Sequence, residues 1–314
     1  MITLKIFRIL AVLYIISNLF MACSKVESKD KTSPEIVLVA STPGDSLIKS
    51  LLAINPETKI DFIRWDLRLF KEEQSSNTFI MNLEYGESLQ NTMGFKNGAK
   101  KLLIKGKYTI LKNQSKYLTG DIYQLKSVDN QVSISMIKLN ENLFHLISPD
   151  HQLLSGNGGW SYTLNRKTPL NNNSEALPSL TISKPLFHDS DNQVTFDGRT
   201  PCLELAKQYN LQVNDNCFKL KWRLTLYKDP NTLMSGTFTM RSVGNQATDI
   251  EGKWRIIKAC GNPSVSIYQL DRSISEPFLS FLAGDENVMF FLDRNYQLFT
   301  GNKDFSFTLN KRIP

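Results

Sequence analysis

The sequence predicts an all-β protein of two tandem antiparallel units, each a closed barrel or sandwich with one short helix. Three observations support this prediction: a long internal repeat, a period of two between apolar and polar residues, and turn residues at short intervals. Self-similarity at a fixed offset bears on the whole fold and is considered first. A chain of 314 residues suffices for two cores of about 100–150 residues each.

The clearest repeat is the phrase LLSGNGGWSYTLNR at 153–166, which returns as LFTGNKDFSFTLNK at 298–311 with seven of fourteen positions identical. Four further blocks recur in the same order. The offset is 145–146 residues for the later blocks and 157–158 for the earlier ones, which places an insertion in the first unit at Gly86–Lys101. Collinear blocks indicate duplication rather than chance similarity. The predicted units are 36–166 and 186–314, joined by an Asn- and Pro-rich linker at 167–185.

Alternation with a period of two defines the strands. In the second unit, one strand is predicted to turn five apolar side chains inward: Phe218, Leu220, Trp222, Leu224 and Leu226. Its counterpart in the first unit turns four inward: Ile63, Trp65, Leu67 and Leu69. Gly106 and Gly252 occupy matching places inside strands, which predicts a bulge or a sharp bend there.

Each unit is predicted to carry its helix over one barrel end. In the second unit Thr200 is the expected N-cap and Pro201 the first helical residue. The first unit repeats this pattern from Thr42. In the repeated phrase, Gly-Asn is expected to form a turn before the last strand. That strand is then expected to direct positions 160, 162 and 164, or 305, 307 and 309, inward.

The repeat also pairs two cysteines. Cys202 aligns with Gly44 and Cys217 with Ile60, so the first unit lacks both cysteines together. A disulfide explains joint loss, because half of one is useless, and a loop of this size contributes about 3 kcal/mol in the chain-entropy model. Two free buried thiols are the alternative. Cys260 is then unpaired, as a buried or loop thiol or in an intermolecular bridge.

The first 22 residues are predicted to be a signal peptide. Two basic residues precede an apolar run at 9–20, which is short for a membrane span but suits a signal core. The run ends in Met-Ala-Cys, which resembles the lipobox of bacterial lipoproteins and implies lipid attachment at Cys23. An ordinary secretory signal with an incidental cysteine is the alternative. Residues 23–35 are polar and read as a flexible tether.

The charge distribution and the sequence motifs bear on which partners, metal sites and catalytic residues are predicted. The formal net charge is +7, with basic residues concentrated at Lys96–Lys112. These lysines interleave with apolar residues, as on the wet face of a strand, so no nucleic-acid partner is predicted. No metal site is expected, because the three histidines are scattered and no ligand spacing is met. No nucleophile elbow, metal-protease pair or phosphate loop is present, so no catalytic residue or cofactor is predicted.

The second unit carries the segments GRTPC, LKWRLTLYKDP, IEGKWRIIK, IYQLD and FSFTLNK. This pattern resembles the NlpE-type lipoprotein domain, named for an outer-membrane lipoprotein linked to copper tolerance and envelope stress. The resemblance covers about 115 residues, with a degenerate copy in the first unit. It implies a small lipocalin-like β-barrel. The family motif often has a second cysteine where this chain has Leu205, so no copper role is carried over.

These observations predict a non-catalytic outer-membrane lipoprotein that binds a ligand or senses the state of the envelope. The alternative is a structural, partner-docking lipoprotein whose barrels are filled by side chains. Its contact surface would be exposed aromatic residues and the insertion at Gly86–Lys101. Leucines and aromatics at inward positions favour filled interiors. The expected partners are the membrane, through the N-terminal lipid, and a small apolar ligand or an envelope protein. The anchor would lie on the periplasmic or the surface face.

Overall fold

The computed structural model describes residues 33–71, 76–112, 120–171, 177, 186–187, 191–229, 232–244, 247–259, 262–272 and 277–312. Cys23, Cys260 and the predicted signal peptide lie outside these residues, as does most of the predicted linker. No helix within these ranges is long and apolar enough to cross a membrane.

The first unit is a closed antiparallel barrel of eight strands in up-and-down order, in which β8 pairs back onto β1. Its strands are β1 (Ile36–Pro43), β2 (Phe62–Phe70), β3 (Thr78–Gly86), β4 (Lys100–Lys112), β5 (Asp121–Ser127), β6 (Ser133–Lys138), β7 (Leu143–Ile147) and β8 (Thr163–Arg166). Helix α1 (Ser46–Leu51) follows β1.

The second unit repeats this topology, with β16 pairing back onto β9. Its strands are β9 (Gln193–Thr200), β10 (Leu220–Asp229), β11 (Thr232–Val243), β12 (Ala247–Ala259), β13 (Asn262–Asp271), β14 (Pro277–Ala283), β15 (Val288–Leu292) and β16 (Thr308–Lys311). Helix α2 (Leu203–Tyr209) follows β9. The predicted all-β fold of two tandem barrels, each with one short helix, is confirmed. Eight-stranded up-and-down barrels are the architecture of lipocalins.

Side chains fill both barrel interiors. The four inward residues of β2 are at most 1% exposed and those of β10 at most 3%, as the alternation predicts. Phe218 is the exception. It lies before β10 begins and is 50% exposed, so its predicted inward position is wrong. Bulky rings occupy the two cores: Trp65, Phe79, Phe144 and Tyr162 in one, and Trp222, Trp254, Phe238 and Phe281 in the other.

One buried hydrogen bond recurs in both barrels. The indole Nε1 of Trp65 donates to Thr42 Oγ1 at 2.8 Å, and that of Trp222 donates to Thr200 Oγ1 at 2.8 Å. A buried indole N–H needs an acceptor, and the threonine at the end of the first strand supplies it. Thr200 therefore ends β9 and does not cap a helix.

The predicted helix starts are corrected accordingly. The N-cap of α1 is Asp45, whose carboxylate accepts from the Ile48 backbone N–H at 3.0 Å and from the Tyr162 hydroxyl. Helix α2 has Cys202 at its N-cap position, without a side-chain capping bond. Leu205 on α2 is fully buried in the core of its barrel. Each helix thus packs on its barrel, as expected.

The two matched glycines mark close approaches between strands, and the strand register continues through both without the predicted bulge. The first half of β4 pairs with β3 and the second half with β5, and the change occurs at Gly106. A Cβ at Gly106 would lie 2.0 Å from the Lys126 carbonyl oxygen, and one at Gly252 would lie 2.2 Å from that of Asp271. Real Cβ atoms do not approach this closely. Only glycine lets the neighbouring strand come this near at the barrel corner.

The predicted disulfide joins Cys202 and Cys217, with Cα atoms 5.7 Å apart. It connects the start of α2 to the segment that enters β10. In the first barrel, Gly44 and Ile60 hold the corresponding places, and a Cβ on Gly44 would lie 2.2 Å from Ile60 Cγ2. Direct packing of Ile60 on the glycine backbone therefore replaces the covalent link.

Replacing both Cys202 and Cys217 by alanine should lower the free energy of unfolding of the protein by about 3 kcal/mol, because the unfolded chain regains the entropy of a loop of this size. Urea denaturation followed by tryptophan fluorescence measures the change. Reduction of the wild-type protein should reproduce it, and reduction should not alter the double variant. An unchanged midpoint in the double variant would show that packing alone fixes the start of α2.

Candidate functional site

One strand in the second half of each barrel, β7 in the first and β15 in the second, is buried on both faces. Every residue of β7 and of β15 is buried. Alternate side chains of these strands fill their own barrel. The others point outward, and the two outward faces pack against each other. Continuous apolar runs are typical of strands covered on both sides.

A shared hydrophobic layer joins the barrels. Five of the six buried residues that the first barrel contributes have their repeat equivalents, 145 positions later, in the same layer; the sixth, Leu139, corresponds to Gly284. The matched pairs are Ile122 and Ile267, Ile137 and Leu282, Leu143 and Val288, Ile147 and Leu292, and Leu153 and Leu298. Matched residues on both sides are the property of a two-fold, self-complementary interface. The barrels are therefore related by a local pseudo-two-fold axis through this layer.

Polar side chains mark the axis. Ser161 Oγ lies 2.5 Å from Ser306 Oγ, and Thr163 Oγ1 lies 2.9 Å from Thr308 Oγ1. Each of these residues meets its own repeat equivalent. All four are buried, and their hydroxyls satisfy one another, as buried polar groups require.

Two asparagines make reciprocal contacts beside the axis. Asn165 Oδ1 accepts from the Gly301 backbone N–H at 2.8 Å, and Asn310 Oδ1 accepts from that of Gly156 at 2.7 Å. Both glycines belong to the Gly-Asn turns of the repeated phrase. Asn157 and Asn302 stabilise these turns by accepting from backbone N–H groups two and three residues later. The turn prediction is confirmed.

The inward prediction for the repeated phrase is correct in part. Tyr162, Leu164, Phe307 and Leu309 lie in the barrel cores. Trp160 does not. It precedes β8 and stacks on Phe62, with ring centroids 5.0 Å apart. The prediction also missed what the phrase does on its other face, because serine, threonine and asparagine read as solvent-facing residues when only one barrel is considered.

His145 breaks the symmetry. Its equivalent is Phe290, and the two rings meet edge to face with centroids 5.5 Å apart. His145 Nε2 lies 2.9 Å from the Leu154 carbonyl oxygen and Nδ1 lies 2.9 Å from Thr163 Oγ1. The carbonyl can only accept, so Nε2 carries the proton and Nδ1 accepts from the hydroxyl. Burial lowers the pKa of this imidazole to about 4, which keeps it neutral.

An aromatic stack extends from the interface to the insertion. Phe95, inside the insertion, stacks on Phe62 at 4.3 Å, and Phe62 stacks on Trp160. The guanidinium of Arg199, from the second barrel, lies 5.2 Å from the centre of the Trp160 ring. Arg64 donates to the Met93 carbonyl at 2.7 Å. The insertion is therefore anchored on the first barrel by Phe95.

Surface grooves flank the interface. One, of about 490 Å³, lies on the first barrel beside the 301–303 turn. Two adjoining grooves, of about 380 and 480 Å³, lie on the second barrel beside the 156–159 turn. The grooves of about 490 and 380 Å³ are lined mainly by the first three strands of their barrels, whereas the groove of about 480 Å³ is lined mainly by the 156–158 turn and by residues 310–312. The grooves differ in the charged side chains that line them.

The remaining predicted residues lie elsewhere or outside the described residues. Lys101, Lys105 and Lys107 are exposed on the outward face of β4, as the alternation predicts. Cys23, His188 and Cys260 lie outside the described residues, whereas His145 and His151 lie within them. Among those ranges no three His, Cys, Asp or Glu side chains are grouped to hold a metal ion.

The chain matches no protein-family model, no curated protein and no solved structure. The resemblance of the second unit to the NlpE-type domain therefore remains a prediction. The first barrel therefore serves as the reference with which the surface of the second barrel is compared.

The buried His145 should make stability depend on pH. Its pKa is about 4 when folded and about 6.5 when unfolded, so the unfolded chain binds the proton more readily. The stabilisation is complete above pH 6.5 and is lost as the pH falls towards 4, by up to about 3 kcal/mol. Urea titrations across this range should show a shallower acid slope in His145→Gln than in the wild type.

His151 provides the matched control for this prediction. It has a positive φ of 59°, which asparagine tolerates, and His151→Asn should retain the wild-type slope. Equal slopes in the wild type and His145→Gln would show that the imidazole titrates normally and is not shielded by the interface.

Asn165→Ala should destabilise the pairing of the barrels. The Asn165 side chain bonds the Gly301 N–H and the Asn302 carbonyl, and both bonds are partly buried. A hydrogen bond of this kind contributes about 0.5–1.5 kcal/mol, so the free energy of unfolding, measured in urea, should fall by about 1–3 kcal/mol. The exposed Asn82 on β3 supplies the control, because Asn82→Ala should change stability little. Equal effects in both variants would contradict a role for the reciprocal contacts.

Proposed function

We propose that the protein is a non-catalytic lipoprotein of the bacterial outer membrane, anchored through Cys23, that acts as a docking module through its outer surface. One observation carries the choice between carrier and docking module. The interiors of both barrels are filled by large buried side chains, and the described grooves lie outside them. An eight-stranded barrel can either hold one small ligand or fill itself with side chains, and filled interiors favour docking.

The rigid pairing of the barrels also supports docking. A shared apolar layer and a polar axis hold the two outer surfaces in one arrangement. A partner could therefore contact both barrels and both turns of the repeated phrase at once. A sensing role in the envelope is compatible with such a module, but it would act through surface contacts rather than through an enclosed ligand.

Binding of a small apolar ligand is the second candidate. A surface groove of about 470 Å³ beside α1 favours it. Leu103 and Val128 line this groove and are 55% and 81% exposed. These two side chains give the groove an apolar wall that a small apolar molecule could contact.

The proposal is tested by native mass spectrometry of the protein purified from its own membrane. The expected species carries acyl mass on Cys23 and one disulfide, without a small molecule at fixed stoichiometry. Cys23→Ala should release the protein from the membrane fraction, whereas Ser24→Ala should not. A small apolar molecule bound at fixed stoichiometry would instead identify a carrier. Membrane association that survives Cys23→Ala would contradict the lipid anchor.

A further inference from the structure

The second barrel carries a compact group of basic side chains on the outward faces of its first three strands. Lys221 on β10 lies directly opposite Arg199 on β9, and Arg223 on β10 lies directly opposite Arg241 on β11. Like charges placed opposite each other across strands are destabilising. We call these four residues the basic grid. This clustering of like charges lowers the stability of the fold. An interaction outside the fold therefore has to account for the presence of these four side chains.

The fold neutralises only part of the basic grid. Arg223 pairs with Asp197 through two hydrogen bonds, of 2.8 and 3.1 Å. Arg241 approaches Asp249 at 3.7 Å, but both side chains are more than half exposed, and such pairs contribute little. Within the described residues, no carboxylate forms an ion pair with Arg199 or Lys221.

Lys219, two residues before Lys221, adds a further positive charge. Burial, together with the charges of Arg199 and Lys221, lowers the pKa of its ammonium group. Burial also lowers the pKa of Arg199, whose guanidinium covers the Trp160 ring. The surroundings of the basic grid therefore hold more positive charge than the protein itself compensates.

The first barrel provides the comparison. By the repeat and the strand registers, its equivalents of Arg199, Lys221, Arg223 and Arg241 are Ser41, Arg64, Asp66 and Asn82. Its single arginine here is compensated, since Arg64 lies 3.3 Å from Asp304 and 3.7 Å from Glu84. The same architecture thus exists with balanced charge, which shows that the fold does not require the basic grid.

The basic grid lines the groove of about 380 Å³. Residues 157–159 of the first barrel also line it, as does Asp197, whose carboxylate is bonded to Arg223. Successive outward side chains on a strand are about 7 Å apart, and opposite residues on neighbouring strands are about 5 Å apart. Arginine also suits the bidentate recognition of phosphate oxygens.

From this geometry we infer that the groove binds an anion that carries two or more phosphate groups about 5–7 Å apart. The inference rests on the proposed docking function and names the chemistry that its partner presents. The phosphates belong either to a soluble molecule or to a lipid headgroup. Arg199 and Lys221 would contact one group and Arg241 the other, while Arg223 stays bonded to Asp197.

Isothermal titration of the full chain with tripolyphosphate tests the inference, with orthophosphate as the single-phosphate comparison. Tripolyphosphate should bind with one site and at least about tenfold more tightly, because a second phosphate adds further charge-assisted hydrogen bonds. The affinity should fall as salt is raised. The double variant Lys221→Gln and Arg241→Gln should lose about tenfold or more in affinity.

A matched control separates the site from general charge. Lys105→Gln with Lys107→Gln removes the same charge from exposed positions on β4, and this variant should bind tripolyphosphate like the wild type. Equal losses in both double variants would overturn the inference, since only net charge would then matter. Equal affinity for tripolyphosphate and orthophosphate, or no binding of either, would overturn it as well.

Vesicle sedimentation distinguishes the two sources. Zwitterionic vesicles containing cardiolipin, which has two phosphates, are compared with vesicles of equal charge containing phosphatidylglycerol. Preferential sedimentation with cardiolipin that Lys221→Gln and Arg241→Gln abolishes would assign a lipid headgroup, whereas tripolyphosphate binding alone would assign a soluble ligand. The docking function fails separately, if mass spectrometry finds a ligand enclosed in a barrel, so the two failures can be told apart.

Discussion

The structure depends on one constraint: a closed barrel can bury its interior but not its outer wall. In both units the outer wall of the second half is apolar, and each wall is covered by the other. A fully buried aliphatic or aromatic side chain contributes about 1.5–3 kcal/mol. The shared layer, with thirteen buried apolar residues among those described, is therefore a major stabilising contact between the two barrels. We therefore expect the two barrels to unfold together, so the stability of each one depends on the presence of the other.

The repeated phrase is explained by this constraint. Its inward residues close a barrel, as any last strand would, but its outward residues lie on the pseudo-two-fold axis. A residue that meets its own equivalent there, such as Ser161 with Ser306, needs the same chemistry on both sides. Away from the axis no such requirement acts. The disulfide of the second barrel, the insertion of the first and the basic grid all lie in regions where one copy differs from the other.

The sequence predicts what depends on short range or on the repeat itself. Alternation identifies β2 and β10, and the joint absence of cysteines from the first unit identifies the bridge of Cys202 with Cys217. Long-range relations are not visible. Thr200 looks like a cap until Trp222 is seen to use its hydroxyl. The charges of β10 are evident in the sequence, but their like-charged neighbours on β9 and β11 emerge only from the strand register.

The pairing of each axial residue with its own equivalent is the geometry of a symmetric homodimer, here contained in a single chain. A homodimer assembles only above a threshold concentration, whereas two linked halves meet at a high effective concentration at any dilution. In a homodimer, every substitution also occurs in both subunits. Covalent linkage removes that restriction, so one half can keep the balanced charge around Arg64 while the other acquires Arg199 and Arg241. Duplication thereby allows two barrels of the same architecture to carry surfaces of different charge.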